Sequence, residues 1–301
     1  MRRQNTGLAL IVAMLIAALA AAVAVSVATA QSQWFAQVEH RRDQVEAQSI
    51  AAAGVQWARA ILDAAPPLVD HLGEPWALPL PPTPVENGDV RGRIVDAQSM
   101  LNANNLVGDN AGIERQRFAR LFSTLGIPPA TLAPIIDWID VDDIAQDGGA
   151  EDAWYMNQPD ASLAANAPAV RIEELANVRG MTAPAMARMV RFVTALPPGT
   201  PLNVNTASPE VLAASLDIDA DALASLVASR AEHPFGSIAE FRTRLATLGG
   251  SLIGPEAMYS VNSHYFLVAV RARQGETIAN ARALITRDSN QPSSIVWQTI
   301  E

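Results

Sequence analysis

Residues 5–31 read NTGLALIVAMLIAALAAAVAVSVATAQ, and no charged side chain lies between Leu8 and Ala30. Arg2 and Arg3 stand just ahead of this run, and Gly7 separates it from the polar start. As a helix, about 23 residues at roughly 1.5 Å each reach about 35 Å, enough to cross a hydrocarbon core of roughly 30 Å. Basic residues in front of such a span put its N-terminus in the cytoplasm. A cleaved secretory signal is the competing reading, because Ala28-Thr29-Ala30 before Gln31 has small-x-small spacing. The apolar core of a signal peptide, however, is roughly 7–15 residues, shorter than this run.

The continuation bears on the choice. From Gln31 to Asp63 there is no proline and one glycine, Gly54, among good helix formers. Trp34, Val38, Val45, Val55, Ile61 and Leu62 form a sparse apolar face, and Pro66-Pro67 ends the helix. A short basic leader, a glycine, and an apolar helix that runs on into an amphipathic one together resemble a type IV pilin-like leader. The resemblance implies cleavage by a prepilin peptidase after Gly7, so that Leu8 begins the mature chain and the helix stays as an anchor. Most pilin-like chains carry Glu at the fifth mature position, where this one has Val12. A carboxylate inside a bilayer is expensive unless paired. A subunit with no neighbour beyond it has no use for that group, so Val12 hints at a filament tip.

Composition narrows the rest. The chain has 301 residues, 50% apolar, enough for one large or two ordinary cores. It has no cysteine and no lysine, which excludes disulfides, thiolate chemistry and Schiff bases. His40, His71, His233 and His264 show no ligand spacing, and Asp70-His71 are sequence neighbours without a nucleophile. The net charge of −10 argues against nucleic acid as a partner, since a phosphate backbone wants a basic face.

Residues 63–88 are proline-rich and read as an extended linker or surface loop. Asn87-Gly88 is a turn signal that opens a strand over residues 90–95. HYFLVAVR (264–271), Thr277–Arg287 and Ser294–Ile300 are further strands, with turns at Gln274-Gly275 and Asp288–Pro292. Helical patterns fill the space between: 111–125, 130–139, 171–176, 183–196, 209–216, 220–232 and 237–245. The strands are too few for two sheets, so they are expected to pair with one another around an inserted helical domain.

The densest chemistry is IIDWIDVDDIAQDGGAED, residues 135–152, with Asp137, Asp140, Asp142, Asp143, Asp147, Glu151 and Asp152. Hard oxygen donors beside a Gly-Gly turn suit Ca²⁺, which takes roughly 6–8 oxygens. The spacing is not that of an EF-hand. A solvated acidic loop with Asp caps is the other reading; a glycosidase pair would stand across a cleft rather than on one loop.

LNVNTASPEVLAASLDIDADALASLVASRAEHPFGSIAEFRTRL, residues 202–245, resembles a helix-hairpin-helix module, and Arg171–Leu196 resembles an earlier half with its turn at Val178–Met181. Such modules meet phosphate through a Gly-rich hairpin. Here that hairpin is Leu216-Asp217-Ile218-Asp219, acidic and without glycine, which reads as a packing scaffold. A membrane-anchored periplasmic DNA-binding protein is the alternative that this module would support.

Five segments in order, RRQNTGLALIV, LNANNL (101–106), DWIDVDD…GGAEDAWY (137–155), IEELANVRGM (172–181) and LNVNTASPEVLAASL (202–216), resemble the minor pseudopilin K family of type II secretion systems (general secretion pathway protein K). The resemblance covers nearly the whole chain. It implies an α+β, type IV pilin-like fold: leader 1–7, span 8–30, periplasmic helix 31–63, β domain 64–108 and 261–301, inserted α domain 109–260. It also implies calcium in the acidic loop, with Asp140, Asp142, Glu151 and Asp152 as foremost ligands and Asp137 and Asp147 behind them. The implied role is non-enzymatic. The subunit would sit in the inner membrane with one pass and its bulk in the periplasm, cap a pseudopilus, and aid export of folded proteins. Its implied partners are two other minor pseudopilins in a heterotrimeric tip complex, the major pseudopilin, the prepilin peptidase and the inner-membrane assembly platform.

Overall fold

The computed structural model describes residues 6–65, 68–288 and 291–301. Met1–Asn5 of the expected leader, the Pro66-Pro67 stop and residues 289–290 of the expected turn lie outside these residues. The path opens with helix α1 (Thr6–Ala64) and strands β1 (Leu80–Val85) and β2 (Gly88–Asp96). Short elements follow: β3 (Leu101–Asn102), α2 (Ala111–Leu125), α3 (Leu132–Ile139), α4 (Asp152–Tyr155), α5 (Ala183–Met189), β4 (Val193–Thr194) and β5 (Leu202–Asn203). Then come α6 (Pro209–Ser215), β6 (Leu216–Asp217), α7 (Ala220–Glu232), α8 (Ile238–Thr247), β7 (Ser251–Leu252) and β8 (Tyr259–Ser260). Three long strands complete the path: β9 (Tyr265–Gln274), β10 (Thr277–Asp288) and β11 (Gln291–Ile300).

The main sheet has the order β1-β2-β9-β10-β11, antiparallel throughout. β2 and β9 pair from Gly88↔Gln274 to Asp96↔Phe266, so both ends of the helical insert leave the sheet side by side. The architecture is α+β, with one long helix against a small antiparallel sheet and a large helical domain inserted between neighbouring strands.

α1 runs 59 residues, about 89 Å at roughly 1.5 Å per residue. Its C-terminal part is the sheet's core helix. Ala47, Ala51, Val55, Ala58 and Leu62 recur every three or four residues and are buried. They lie against Phe266, Val268, Val270, Ala281, Ala283 and Ile285. Small residues on both sides allow close approach; a Cβ on Gly54 would sit 2.7 Å from Val270 Cγ1. Among the described residues the N-terminal part is bare: Leu10, Ile11, Val12, Leu15 and Leu19 are at least half exposed. With a mean hydropathy of 3.0 over its most apolar window, this end of α1 is long and apolar enough to cross a membrane.

Three local expectations change. The stretch 63–88, expected as linker or loop, contributes β1, whose LPPTPV sequence places three prolines at the edge of the sheet. Proline has no N–H for a ladder, so an edge is where such a strand fits. The helix expected over 183–196 stops at Met189, and Val193–Thr194 pair in parallel with Leu101–Asn102 instead. The insert also begins before residue 109, because Leu101, Ala103 and Leu106 pack with Phe118, Leu121 and Phe122 in its core.

Those residues belong to an internal repeat of the insert. LNAN at 101–104 and LNVN at 202–205 each form a two-residue parallel bridge, to β4 and β8 respectively. In each, the first Asn Oδ1 accepts from the backbone N–H of the second, at 3.2 Å for Asn102–Asn104 and 2.9 Å for Asn203–Asn205. The second Asn then exchanges two hydrogen bonds with one distant backbone unit: Asn104 with Ala169 and Asn205 with Phe235, all at 2.9 Å.

Candidate metal centre

α3 stops at Ile139, and Asp140 leaves it in extended conformation (φ −78°, ψ 173°). The acidic loop that follows folds back on the helix it came from. Asp137, fully buried, accepts from Gln146 N through both oxygens (3.3 and 3.2 Å). Asp142 Oδ1 accepts from Ile144 N at 3.0 Å, and Gly149 N donates to Gln146 O at 2.8 Å. Gly148 has a φ of 77°, in the left-handed region. Gly149 passes so near Asp137 that a Cβ would sit 1.8 Å from Oδ2. Arg179 closes the other side, its Nη1 donating to Gly149 O at 2.9 Å and its guanidinium lying 5.4 Å from the Trp154 ring centre.

This folding brings Glu151 to Asp140 and Asp142, with one carboxylate oxygen of each within 4.8 Å of the others. Glu151 is buried, and neither of its oxygens has a hydrogen-bond partner; Asp140 Oδ1 is equally orphaned. Burial first, and then the charges of Asp137, Asp140 and Asp142, push the Glu151 carboxyl up to about 7. Burial, and then Asp142 and Asp137, push Asp140 to about 6. Burial also raises Asp137. A buried carboxylate without donors, as at Glu151, is costly, and the half-buried Asp140 and exposed Asp142 facing it add repulsion unless a cation sits between them. The donor set is all oxygen, which fits a hard divalent ion completed by backbone carbonyls or water.

The other expected ligands are placed differently. Asp152 Oδ1 accepts from Ala164 N at 2.8 Å and ties down the following loop. Asp147 is exposed at the Gly-Gly turn, outside the group of three. Asp137 buttresses the loop from behind. Sequence reasoning passed over Arg179 and Tyr155, whose hydroxyl accepts from Arg179 N at 3.2 Å. Both lie inside segments quoted for the family resemblance, 137–155 and 172–181, which gave them no role.

The apolar side of the helix-hairpin-helix look-alike packs in the insert core, while its hairpin acids Asp217 and Asp219 are exposed. Leu216-Asp217 form β6 against β7, and Asp219 Oδ1 caps α7 by accepting from Ala222 N at 2.8 Å. Of the module's three arginines, Arg230 is buried and donates to Val204 O and Ala207 O at 2.7 and 2.8 Å, while Arg242 and Arg244 pair with Glu256 and Glu240. No phosphate cradle forms there among the described residues.

Two profiles described as "Type II secretion system (T2SS), protein K" match the chain, over residues 99–198 and 202–262, together more than half of it. The chain is 35% identical to the type II secretion system protein K of Pseudomonas aeruginosa over 69% of its own length, spanning 64% of that relative. It is 29% identical to the Klebsiella pneumoniae protein over 85% of its length, spanning 80% of that one. In fold it is similar to a chain of the crystal structure of the GspK-GspI-GspJ complex from the enterotoxigenic Escherichia coli type 2 secretion system. The TM-score is 0.71 at 22% identity, over 88% of this chain and 99% of that one. With matching profiles over most of the helical insert and relatives that extend into its flanks, the chain belongs to the type II secretion system protein K family.

Proposed function

We propose that this chain is a minor pseudopilin that caps the tip of a periplasmic pseudopilus, without catalytic activity of its own. One observation carries the reading: a bare apolar helix end, a small sheet packed on the other end of the same helix, and a bulky insert hung between β2 and β9 at the end of the sheet farthest from the anchor. Helices bared in this way pack against like helices in a bundle or filament. The insert occupies the space that a subunit stacked above would need.

The remaining roles follow from that placement. The prepilin peptidase cuts after Gly7, leaving Leu8 as first residue; the span lies in the inner membrane with its N-terminus cytoplasmic and the rest periplasmic. Val12 leaves the fifth mature position uncharged, as a terminal subunit allows. The partners are two other minor pseudopilins, the major pseudopilin below them and the assembly platform. Calcium, held by Asp140, Asp142 and Glu151, supplies a fixed positive charge that binds the loop to α3. Asp137 and Arg179 brace the loop, and Asp152 anchors its exit.

The test has two parts. Intact mass of the membrane-extracted chain should show a start at Leu8; a start at Gln31 would remove the anchor and the filament with it. The detergent-extracted chain, mixed with the two other minor pseudopilins of its system, should co-elute with them in equal amounts. Separate elution of all three would overturn the tip-complex reading.

A further inference from the structure

β2, β9 and β10 turn every second side chain away from α1. At the end nearest the insert these are apolar, and Leu267, Leu284 and Trp297 are covered by Ala97 and Leu196. Toward the anchor the same face carries Arg91, Arg93, Arg271 and Arg282, all exposed, around a shallow hollow of about 700 Å³. Arg91 and Arg271 are directly opposed across the β2–β9 ladder. Arg93 and Arg282 flank them, both opposite Ala269. Like charges at opposed positions destabilise a sheet.

Among the described residues, no carboxylate pairs with Arg91, Arg93 or Arg271, while Arg282 is held by Glu173 of the insert. Among the described residues that line the hollow, Glu301 is the sole acid, and Glu173 reaches its margin through Arg282. In a chain of charge −10, three unpaired guanidinium groups are thus gathered on one face against their own repulsion. Such a face is stabilised by an incoming anion.

We propose that this face docks an acidic, carboxylate-rich segment of another protein. The guanidinium fork matches a carboxylate in two parallel hydrogen bonds. Glu173 already meets Arg282 at the margin of the hollow through one ion pair, Nη1 to Oε1. Position argues against lipid, given that residues 8–30 lie in the membrane. Val270, next to Arg271, packs on Gly54, and about 36 Å of helix separates Ala30 from Gly54 at roughly 1.5 Å per residue. Headgroup charge is screened within about 8 Å at physiological salt.

The probe is a fluorescent oligoglutamate peptide, titrated at low ionic strength against the full chain in neutral detergent. Binding should weaken about tenfold or more in Arg91→Gln/Arg271→Gln, as expected for losing one charge-assisted contact. Melting of that variant should be unchanged or higher, because a repulsive pair is gone. Arg188→Gln/Arg191→Gln, which removes the same charge from exposed positions of the insert, should bind as the parent chain does. No peptide binding, or equal binding by the Arg91/Arg271 variant, overturns the proposal. So does tighter binding of anionic phospholipid vesicles or duplex DNA through the same two arginines, which would assign the face to a different polyanion.

Discussion

The carboxylate of Asp96, the last residue of β2, accepts a hydrogen bond from the side-chain amide of Asn203 at 3.0 Å, 107 positions along the chain. The same oxygen accepts from Thr206 Oγ1 at 2.5 Å and Ser263 Oγ at 2.7 Å, and the other from Gln98 N at 2.8 Å. Ser263 N in turn donates to Asp70, which accepts from Arg287 Nη2 at 2.5 and 2.6 Å. Asp96, Ser263 and Asn203 stand where the insert leaves the sheet, where it returns, and where its second half begins. The joint between sheet and insert is therefore a buried polar clamp, and a buried network holds only when its members are satisfied together.

Asp96 makes that clamp pH-dependent. Burial outweighs its donors and the neighbouring Asp70 adds to it, raising the carboxyl to about 6 from an unfolded value of 3.8. The folded chain then binds this proton more tightly than the unfolded chain. The contribution is whole below about pH 4 and is lost as pH rises through about 6, amounting to about 3 kcal/mol at 1.36 per unit. In denaturant titrations at several pH values, the advantage of the parent chain over Asp96→Asn should shrink from pH 4 to 7. A constant difference would mean that Asp96 does not titrate there.

The two Asn repeats predict matched losses. Asn104→Ala and Asn205→Ala each strand one buried N–H and one buried C=O, at Ala169 and Phe235. Each should cost about 2–6 kcal/mol, from roughly 1–3 per unsatisfied group. Denaturation midpoints of the two variants should fall together, whereas Asn105→Ala, at a half-buried position, should cost less.

Calcium should raise the melting temperature of the full chain. At a hundredfold excess over its dissociation constant the gain is about 2.7 kcal/mol. Asp140→Asn/Glu151→Gln should melt no lower than the parent chain in chelator, since two crowded acids, one buried and one half-buried, are gone, and should not respond to added calcium. A response that survives the double substitution would place the ion elsewhere.

Gly54 tests how closely α1 sits on the sheet. Gly54→Val adds bulk where a Cβ already lies 2.7 Å from a β-branched side chain, and should cost about 1–3 kcal/mol. Gly112→Ala in α2, with nothing within 4 Å of its Cβ, should instead stabilise by roughly 0.5–1 kcal/mol. Chemical denaturation of the two variants checks both signs.

Much of this was legible along the chain. The continuous helix, the strands near residues 90–95 and 264–300, and the crowding of acids at 137–152 are all local patterns. What escaped was non-local. β1 hides behind prolines that locally signal a loop and make sense only at a sheet edge. LNAN and LNVN were both in view, but their repeat is defined by partners at Ala169 and Phe235, which are backbone groups that no side-chain pattern announces. Likewise Asp152 and Glu151 are adjacent in sequence, yet one turns to Ala164 and the other into the acidic group.

The sequence by itself determined the long apolar helix and the supply of oxygen donors, because hydropathy, helix propensity and composition act over a few turns of chain. Only the tertiary structure decided which three carboxylates meet, that Asp96 clamps the insert to the sheet, and that Arg91 stands opposite Arg271. Those facts depend on strand register and on loops folding back over long separations, and a contact between distant residues is specified by the packing of everything between them.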